Sequence, residues 1–454
     1  GTVMAIQVSP TAEPPTPLSK REQREAYLQA WLRSVQGAVP EPLTLVELRS
    51  PAAAIAREHT FPSTRDEDWR FTDLSALLAI AFQAAASPAP VDQSLLEAVL
   101  VPEAIARIVL VNGHYSAALS DLANLPAGVV VGNLATLQAG ALGAKLRDRL
   151  AQAGGSHEVF TALNTAGFPD AAVVWVPRHQ VIEQPIQVVS LAVAQDEPLI
   201  ASPRCLVVAE AGSALTLVED FYGAGDRDHC TNSVTEIWAD ENAQVTHVRL
   251  QREGAGTFHI GKTAITQGRD SRYTQIPISL GARVARHNLE VYQAGAHTDT
   301  NLYGLTAIAQ AQLADTHSLI ALNHPHGTAE QLHKAIVDDT AHSVFNGKIW
   351  VPQAAQLTQA KQLNRNLLLS SKARVDTKPE LDIVADNVKC AHGATVSQLD
   401  ANEVFYLQSR GIDAEAAQRL LIYGFAMEII DRIPVPSLQK TLTATVTQRA
   451  ESLG

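Results

Sequence analysis

The spacing of hydrophobic residues changes twice along the chain. It is helical in residues 18–104, follows short strands in residues 105–399, and becomes helical again in residues 400–454. The first part is preceded by a proline-rich stretch, and we expect residues 1–17 to form a disordered tail. The pattern therefore predicts a mainly β protein with an α-helical region at each end.

The N-terminal part contains two predicted helices, over residues 20–35 and 43–57. Both are rich in strong helix formers, and the first carries apolar residues at helical spacing. Phe61 and Pro62 interrupt the pattern after the second helix. The acidic and aromatic segment 66–74 follows, and we expect it to be a surface loop with two aromatic anchors.

The central part consists of strand-like runs of roughly 3 to 6 residues, separated by turns that contain Gly, Asn or Asp. Such runs occur at 108–111, 129–131, 173–176, 186–189, 206–208, 214–218, 245–250, 289–291, 349–351 and 381–384. Helical periodicity is scarce here, which favours a sandwich, a barrel or a solenoid. A β-helix fits the length best, because its turns stack in one dimension and its core has no size limit.

The C-terminal part has clear helix start and stop signals. Asp400 is a predicted N-cap with Glu403 at capping-box spacing, and Gly411 fits a helix stop. Asp413 is expected to cap a longer helix that runs to Asp431, and a last helix is predicted over residues 438–452. The longer helix is expected to carry an apolar stripe made of Ala417, Leu420, Leu421, Gly424, Phe425 and Ile429.

Composition argues against two classes of protein, those that bind nucleic acid and those that span a membrane. The 454 residues carry a formal net charge of −12, and the few local basic groups, such as Arg283, Arg286 and His287, are interpreted as a solvated face. An acidic chain without a dense basic run is a poor candidate for nucleic-acid binding. No apolar run approaches the ~20 residues that a membrane span needs, and no signal peptide is apparent. We therefore expect a cytoplasmic protein, or a plastid stromal one if a transit peptide has been removed.

Cysteine usage indicates a reducing compartment. The three cysteines, Cys205, Cys230 and Cys390, are far apart and odd in number, so they suggest neither a disulfide framework nor a zinc site. In the segment 389–393, Cys390 and His392 would lie on one face of a strand. A thiolate and an imidazole can both bind iron or iron–sulfur units, although buried packing explains the same residues.

Two further motifs have plainer explanations. The string Gly256–Thr263 matches a phosphate-binding loop, but no helix follows it and its inner positions alternate like a strand. The histidines at 317, 324, 326, 333 and 342 show no tight metal-ligand spacing. We interpret the first as a chance match and the second as exposed or locally bonded side chains.

Ordered motifs give the chain a specific resemblance. They are Asp68–Leu74, Asn164–Gly167, Phe258–Gly261, Phe345–Lys348, Gln359–Asn364, Asn366–Ser370, Thr377–Ile383, Val388–Thr395, Phe405–Leu407 and Ser409–Gly411. Over residues 65–432 the chain resembles the SufB/SufD family of iron–sulfur cluster assembly proteins. Its few cysteines, and Ala391 before His392, make it more similar to SufD-type than to SufB-type members.

The resemblance implies a right-handed parallel β-helix core flanked by helical regions. It also implies a non-catalytic scaffold subunit that pairs with SufB and docks the ATPase SufC, and that forms a possible homodimer when isolated. His392 and Cys390 become candidate iron or cluster ligands at the SufB-facing edge, with iron or a cluster held only transiently and no tightly bound cofactor. The residues expected to bind SufC are Phe405, Tyr406, Arg410, Gly411, Leu420, Gly424 and Phe425.

The alternative function is a β-helix enzyme acting on polysaccharide. Such enzymes commonly display catalytic carboxylates or basic groups on one sheet face and are commonly secreted. This sequence offers neither a signal peptide nor an evident cluster of that kind, so the scaffold is the favoured interpretation.

Overall fold

The computed structural model describes residues 14–451, with side chains up to residue 448. The α-helices in this range are α1 (Lys20–Gly37), α2 (Val46–Arg57), α3 (Ser75–Leu78), α4 (Gln93–Glu97), α5 (Leu134–Leu137), α6 (Gly143–Arg149), α7 (Val159–Gly167), α8 (Ala401–Ser409), α9 (Ala414–Ile430) and α10 (Pro436–Glu451). Within these residues, no helix is both long and apolar enough to cross a bilayer.

The β-strands lie mostly between α7 and α8, and four of them precede α7. They are β1 (Gln83–Ala84), β2 (Ala106–Val111), β3 (His114–Tyr115), β4 (Val130–Asn133), β5 (Ala172–Val176), β6 (Ile186–Ala192), β7 (Leu199–Ala201), β8 (Arg204–Ala209), β9 (Ala214–Gly223), β10 (His229–Ala239), β11 (Gln244–Arg252), β12 (Thr257–Gln267), β13 (Arg272–Ser279), β14 (Val284–Gln293), β15 (Asp299–Ile308), β16 (Leu313–Leu322), β17 (Thr328–Val337), β18 (His342–Val351), β19 (Thr358–Leu368), β20 (Arg374–Ile383) and β21 (Val388–Gln398).

The strands form a parallel β-solenoid of about eight turns. From β8 onwards, successive strands alternate between two sheets. Sheet A runs in the order β20-β18-β16-β14-β12-β10-β8-β5-β4, and sheet B in the order β21-β19-β17-β15-β13-β11-β9-β6-β2-β3. Equivalent residues of successive turns lie side by side, as Val284, Leu313 and His342 do in sheet A. The predicted mainly β solenoid with helical ends is confirmed, and its right-handed sense stays a prediction, in line with the usual hand of parallel crossovers.

One corner of the solenoid is built from residues with left-handed backbone. Asn242, Asp270, His297, His326 and Leu357 occupy it on successive turns, with φ between 55° and 61°. Each donates its backbone N–H to a carbonyl of the next turn, which satisfies groups that a sharp corner would otherwise leave unpaired. Among residues other than glycine, Asn, Asp and His adopt this conformation most readily, which gives four of the five corner residues a direct structural reason.

The interior of the solenoid is apolar along one column and polar along another. Ile237, Ile265, Val291, Ile320 and Ile349 stack on successive strands of sheet A, and they belong to a core cluster that also receives residues from sheet B. Stacking like side chains turn upon turn lets each strand bury its inner face against its neighbours.

The two helical regions cover different sheets. In the N-terminal region, α1 and α7 pack over sheet A, where Phe160 joins a cluster with Phe258 and Ile260 of β12. In the C-terminal region, α9 and α10 pack over sheet B, where Ile429 joins a cluster with Leu305 of β15. Each sheet is therefore buried on its outer face over only part of its length.

Several sequence predictions can be compared with these elements. The helices over 20–35 and 43–57 are confirmed as α1 and α2, apart from a 3₁₀ turn at Glu41–Leu43 that precedes α2. The scarcity of helices expected after residue 105 is wrong for α5, α6 and α7. The predicted tail lies outside the described residues up to residue 13, and the four residues after it have no regular structure. The domain boundaries stay a prediction.

The burial of two groups of residues differs from what the sequence predicted. Arg286 and His287 are 3% and 4% exposed, so they do not form a solvated face. The inner face of α9 consists of Ala417, Ile422, Ala426, Ile429 and Ile430, whereas Leu420 and Gly424 of the predicted stripe are exposed. The predicted period was right, but the direction of the helix's buried face was partly wrong.

Candidate functional site

The last turn of the solenoid, formed by β20 and β21 and called the terminal turn, has open strand edges. In the described part of the chain β20 pairs only with β18, and β21 pairs only with β19. Most residues of both strands are exposed or half-buried, in contrast to the preceding strands. Unpaired backbone groups along a strand edge are a ready template for another strand.

Cys390 and His392 both lie on β21. Cys390 pairs in register with Ala360, and His392 pairs with Gln362, which places the two side chains on the same side of the strand. The half-buried thiol of Cys390 packs against the inner core cluster of the solenoid. The imidazole of His392 is exposed. The predicted pair is therefore brought together at the open end of the interior.

The surroundings of Cys390 shift the pKa of its thiol. Burial raises the pKa of this thiol above its ordinary value, and the backbone N–H of Ala360 only partly offsets the effect. The isolated chain therefore holds Cys390 mainly as the neutral thiol at neutral pH. A metal ion that binds it has to displace the proton, as thiolate ligands do in general.

A row of polar side chains inside the solenoid extends from the terminal turn towards the earlier turns. Gln362 of β19 donates to Gln331 of β17 over 2.9 Å, and Gln331 donates to Ser318 of β16 over 2.9 Å. Further in, buried His247 contacts Glu219 at 3.1 Å and Tyr273 at 2.8 Å. We call this row of buried polar side chains inside the solenoid, from Glu219 at one end to Gln362 at the other, the polar seam.

Burial disfavours the charged form of two histidines in the seam. It lowers the pKa of His333 to about 4, and it lowers that of His287 well below its ordinary value. The ring of His259 lies 2.5 Å from a carboxylate oxygen of Glu253, and the pKa of Glu253 falls to about 2 beside it. The seam was not predicted from the sequence, although the alternation of polar residues in the strand patterns over 257–267 and 358–368 was a signal for it.

The segment 66–74, called the strap loop, crosses the outer face of sheet A towards the terminal turn. Trp69 is buried with the guanidinium of Arg286 beneath its ring, and Glu67 forms a 2.9 Å ion pair with Lys378 of β20. The expected loop with aromatic anchors is confirmed for Trp69. Between the strap loop and sheet A lies a cleft of about 630 Å³, lined in part by Trp350.

The C-terminal helices expose part of the residues expected to bind a partner. Phe405 and Tyr406 of α8 are 71% and 55% exposed, and Leu420 of α9 is 47% exposed. Arg410 lies over the Tyr406 ring at 5.3 Å, beside Gly411, whose φ of +91° ends α8. Together with exposed Gly424 they form the C-terminal patch: Phe405, Tyr406, Arg410, Gly411, Leu420 and Gly424.

Phe425 lies apart from that patch. It is half-buried, its ring faces the ammonium of Lys334 at 4.3 Å, and its carbonyl accepts from the same group at 3.0 Å. Lys334 is also paired with Glu428 one turn further along α9. Phe425 therefore helps to anchor α9 to sheet B, and its expected role in binding a partner stays a prediction.

The two motifs with plain explanations fold as interpreted. The string Gly256–Thr263 runs into β12 rather than a helix, and Lys262 is buried in an ion pair with Glu290 at 2.6 Å. The five histidines disperse: among them His317 pairs with Asp315 and His342 with Asp376. In the described residues no three or more His, Cys, Asp or Glu converge as a metal site.

Taken together, these features define a parallel β-solenoid protein with an open terminal turn, a Cys-His pair at that turn and exposed C-terminal helices. Comparison with known families assigns this protein to a class. Residues 192–425 match the model described as "SUF system FeS cluster assembly, SufBD core domain", and residues 32–188 match the "SufBD protein N-terminal region".

Relatives along the whole chain support the same assignment. An iron–sulfur cluster assembly SufBD family protein of Synechocystis is 47% identical over 93% of this chain and 95% of its own length. The iron–sulfur cluster assembly protein SufD of Escherichia coli is 32% identical over 86% of this chain and 89% of its own length. Protein ABCI7, chloroplastic, of Arabidopsis thaliana is 34% identical over 88% and 85%. The chain belongs to the SufB/SufD family of iron–sulfur cluster assembly proteins, and within it is most like SufD.

Proposed function

We propose that this chain is a non-catalytic scaffold subunit that pairs with SufB through the terminal turn and docks the ATPase SufC through its C-terminal helices. The observation that carries the proposal is the pair of free strand edges at β20 and β21. The terminal turn of a similar solenoid can continue the two sheets there, with one strand added to each. The edge backbone groups of both partners then become paired.

Apolar side chains at this end support the pairing. Ile383 ends β20 and is 39% exposed, Val384 follows it and is 50% exposed, and Val396 of β21 is 50% exposed. Burying a fully exposed side chain of this kind contributes roughly 1.5–3 kcal/mol, so covering the exposed part of each of these contributes a fraction of that and stabilises the pair. In the isolated chain the same edge suits a second copy, which supports a homodimer when SufB is absent.

Cys390 and His392 would serve the cargo at this interface. Thiolate and imidazole are both ligands for iron and iron–sulfur units, and one pair of donors leaves positions that SufB can complete. The iron or nascent cluster is cargo that the complex holds transiently, and the proposal includes no tightly bound cofactor.

The C-terminal patch would receive SufC. It is made of exposed aromatic and aliphatic side chains on α8 and α9, and α8 has no buried residue of its own. Aromatic residues and arginine at the centre of an interface supply most of its binding energy. We place this assembly in the cytoplasm or a plastid stroma, away from nucleic acid and membranes.

Co-purification with tagged SufB and SufC tests the proposal. Val396→Lys should weaken SufB capture at least tenfold, because a charge would be buried at the terminal turn. Val181→Lys is the matched control: it is 60% exposed, lies near the first turns of the solenoid, and should leave capture unchanged. Equal capture by both variants would place the SufB contact elsewhere.

A further inference from the structure

Gln362 lies where the polar seam meets the terminal turn. Its side chain is completely buried, and its amide nitrogen donates to the Oε1 atom of Gln331. The amide nitrogen of Gln331 in turn donates to the hydroxyl of Ser318. The two amides are therefore oriented alike, with their N–H groups towards the interior of the solenoid.

The fold leaves room for this amide. Gly347 of β18 faces it from sheet A, and a Cβ atom at that position would lie 2.3 Å from the amide nitrogen of Gln362. A side chain at Gly347 would force Gln362 out of line with Gln331. The amide is therefore held in place from two sides, by Gln331 and by the backbone of β18.

The carbonyl end of the same amide lacks a donor. The Oε1 atom of Gln362 is buried and makes no hydrogen bond in the part of the chain that the structure describes. A buried acceptor left in this state is costly, so it implies a donor that approaches from elsewhere. Gln275 and Gln293 also hold such an oxygen, but further turns of the solenoid cover them on both sides.

His392 is the donor in register. It pairs with Gln362 on the next and last strand of sheet B, on the side of β21 that carries Cys390 towards the interior. No hydrogen bond to its ring is found among the described residues, and the ring is exposed and free to turn. A ring N–H is the kind of donor that an amide oxygen accepts.

We propose that Gln362 is a positioning residue for His392: its Oε1 atom accepts the N–H of one ring nitrogen and leaves the other unprotonated and facing out of the terminal turn. Such a bond selects one tautomer and fixes the plane of the ring. Metal-binding histidines commonly donate their second nitrogen to a fixed acceptor in this way. The consequence for iron rests on the proposed function, whereas the tautomer is a property of this chain alone.

Nitrogen-15 spectra of the histidine rings test the bond directly. The full chain is labelled with nitrogen-15 at histidine and measured in mildly alkaline buffer. The signal of His392 is the one missing from His392→Ala. We expect one dominant tautomer in the unmodified chain. In Gln362→Met, which has a similar length but no amide acceptor, the ring shifts should move to those of a free imidazole.

Gln359→Met is the matched control, since Gln359 lies exposed on the same strand. It should keep the tautomer of the unmodified chain, and circular dichroism checks that every variant is folded. Unchanged His392 shifts in folded Gln362→Met would overturn the proposal. If that variant does not fold, Gln362→Glu decides: its carboxylate keeps the acceptor, so the loss of the dominant tautomer would equally contradict the bond.

Ferrous iron binding by the complex reconstituted with SufB and SufC separates the two proposals. Loss of a second-sphere hydrogen bond typically weakens metal binding by about 10- to 100-fold, and we expect at least tenfold for Gln362→Met. Full iron binding by His392→Ala would remove the ligand role of His392 from the proposed function. The tautomer measurement would still decide the role of Gln362.

Discussion

The guanidinium of Arg286 lies 4.1 Å below the ring centroid of Trp69 and joins the strap loop to the outer face of sheet A. Arg286 also forms a 2.6 Å ion pair with Asp315, and the hydroxyl of Thr72 donates to the same carboxylate over 2.5 Å. A short loop near the N-terminus therefore holds strands from the second half of the solenoid, more than two hundred residues along the chain.

We expect Trp69→Ala to destabilise the protein by about 3–5 kcal/mol, since it removes a large buried side chain and uncovers the buried charge of Arg286. Trp350→Ala is the control, because Trp350 is half-buried on the same face of the sheet. Thermal unfolding of the two variants measures the difference. A loss as large for Trp350→Ala as for Trp69→Ala would contradict the role given to the strap loop.

His392→Ala should reduce cluster formation by the complex reconstituted with SufB and SufC, and it should leave the fold and SufC binding intact. The reason is that an exposed side chain at a strand edge contributes little to the core. Cluster absorbance measures the loss, size exclusion checks assembly, and His326→Ala, also exposed, is the control. Full loading would make His392 structural, and a joint loss of loading and SufB binding would assign it to the interface.

Leu420→Lys should weaken SufC binding at least tenfold without unfolding α9, because Leu420 points away from the sheet. Truncation after Gly411 is a less clean test, since it would uncover the apolar residues of sheet B that Ile429 covers. Val46→Lys, which places the same charge at a 65% exposed position of the N-terminal region, should bind SufC normally. Titration of SufC against the three chains measures the affinities.

The purified chain should neither bind nor hydrolyse ATP, because Lys262 lies in a strand and is occupied by Glu290. Calorimetric titration with ATP checks the first point and phosphate release the second. Saturable binding that disappears in Lys262→Ala would contradict the assignment. Lys262→Met combined with Glu290→Gln removes both charges and provides the control for the stability of the single variant.

Stability should fall as the pH decreases from about 6.5 to 4.5. In the folded chain burial lowers the pKa of His333 and His229 to about 4, while an unfolded histidine titrates near ~6.5. The unfolded state therefore binds more protons in this window, and each such histidine costs roughly 2 kcal/mol at pH 5. Above pH 6.5 both forms are neutral and the stabilisation is complete.

The melting temperature as a function of pH measures this effect. His333→Gln should flatten part of the slope, whereas His326→Gln, an exposed corner residue, should not. The buried carboxyl groups of Glu253 and Asp315 have pKa values lowered to about 2, so their contribution is lost only at lower pH. A slope that His333→Gln leaves unchanged would show that this histidine is not the titrating group.

Much of the architecture could be predicted from local pattern. The helices α1 and α2, the caps Asp400 and Asp413 and the many short strands follow from side-chain spacing and capping chemistry, which act over a few residues. The placement of Cys390 and His392 on the same side of one strand also followed from the two-residue period of a strand. Helix α7 was missed, because all nine of its residues are buried and no exposed polar face marks its period.

By itself the sequence determined the alternation of strands and corners, the helical ends and the family resemblance, since each depends on neighbouring residues. Only the tertiary structure decided which polar residues are buried. Arg286 and His287 look solvated in the chain, yet stacking of turns places Arg286 beneath Trp69 and His287 inside the solenoid. The contact of Gln362 with Gln331, and its register with His392, likewise arise from turns about thirty residues apart. Such neighbours are set by the register of parallel strands, which no local pattern contains.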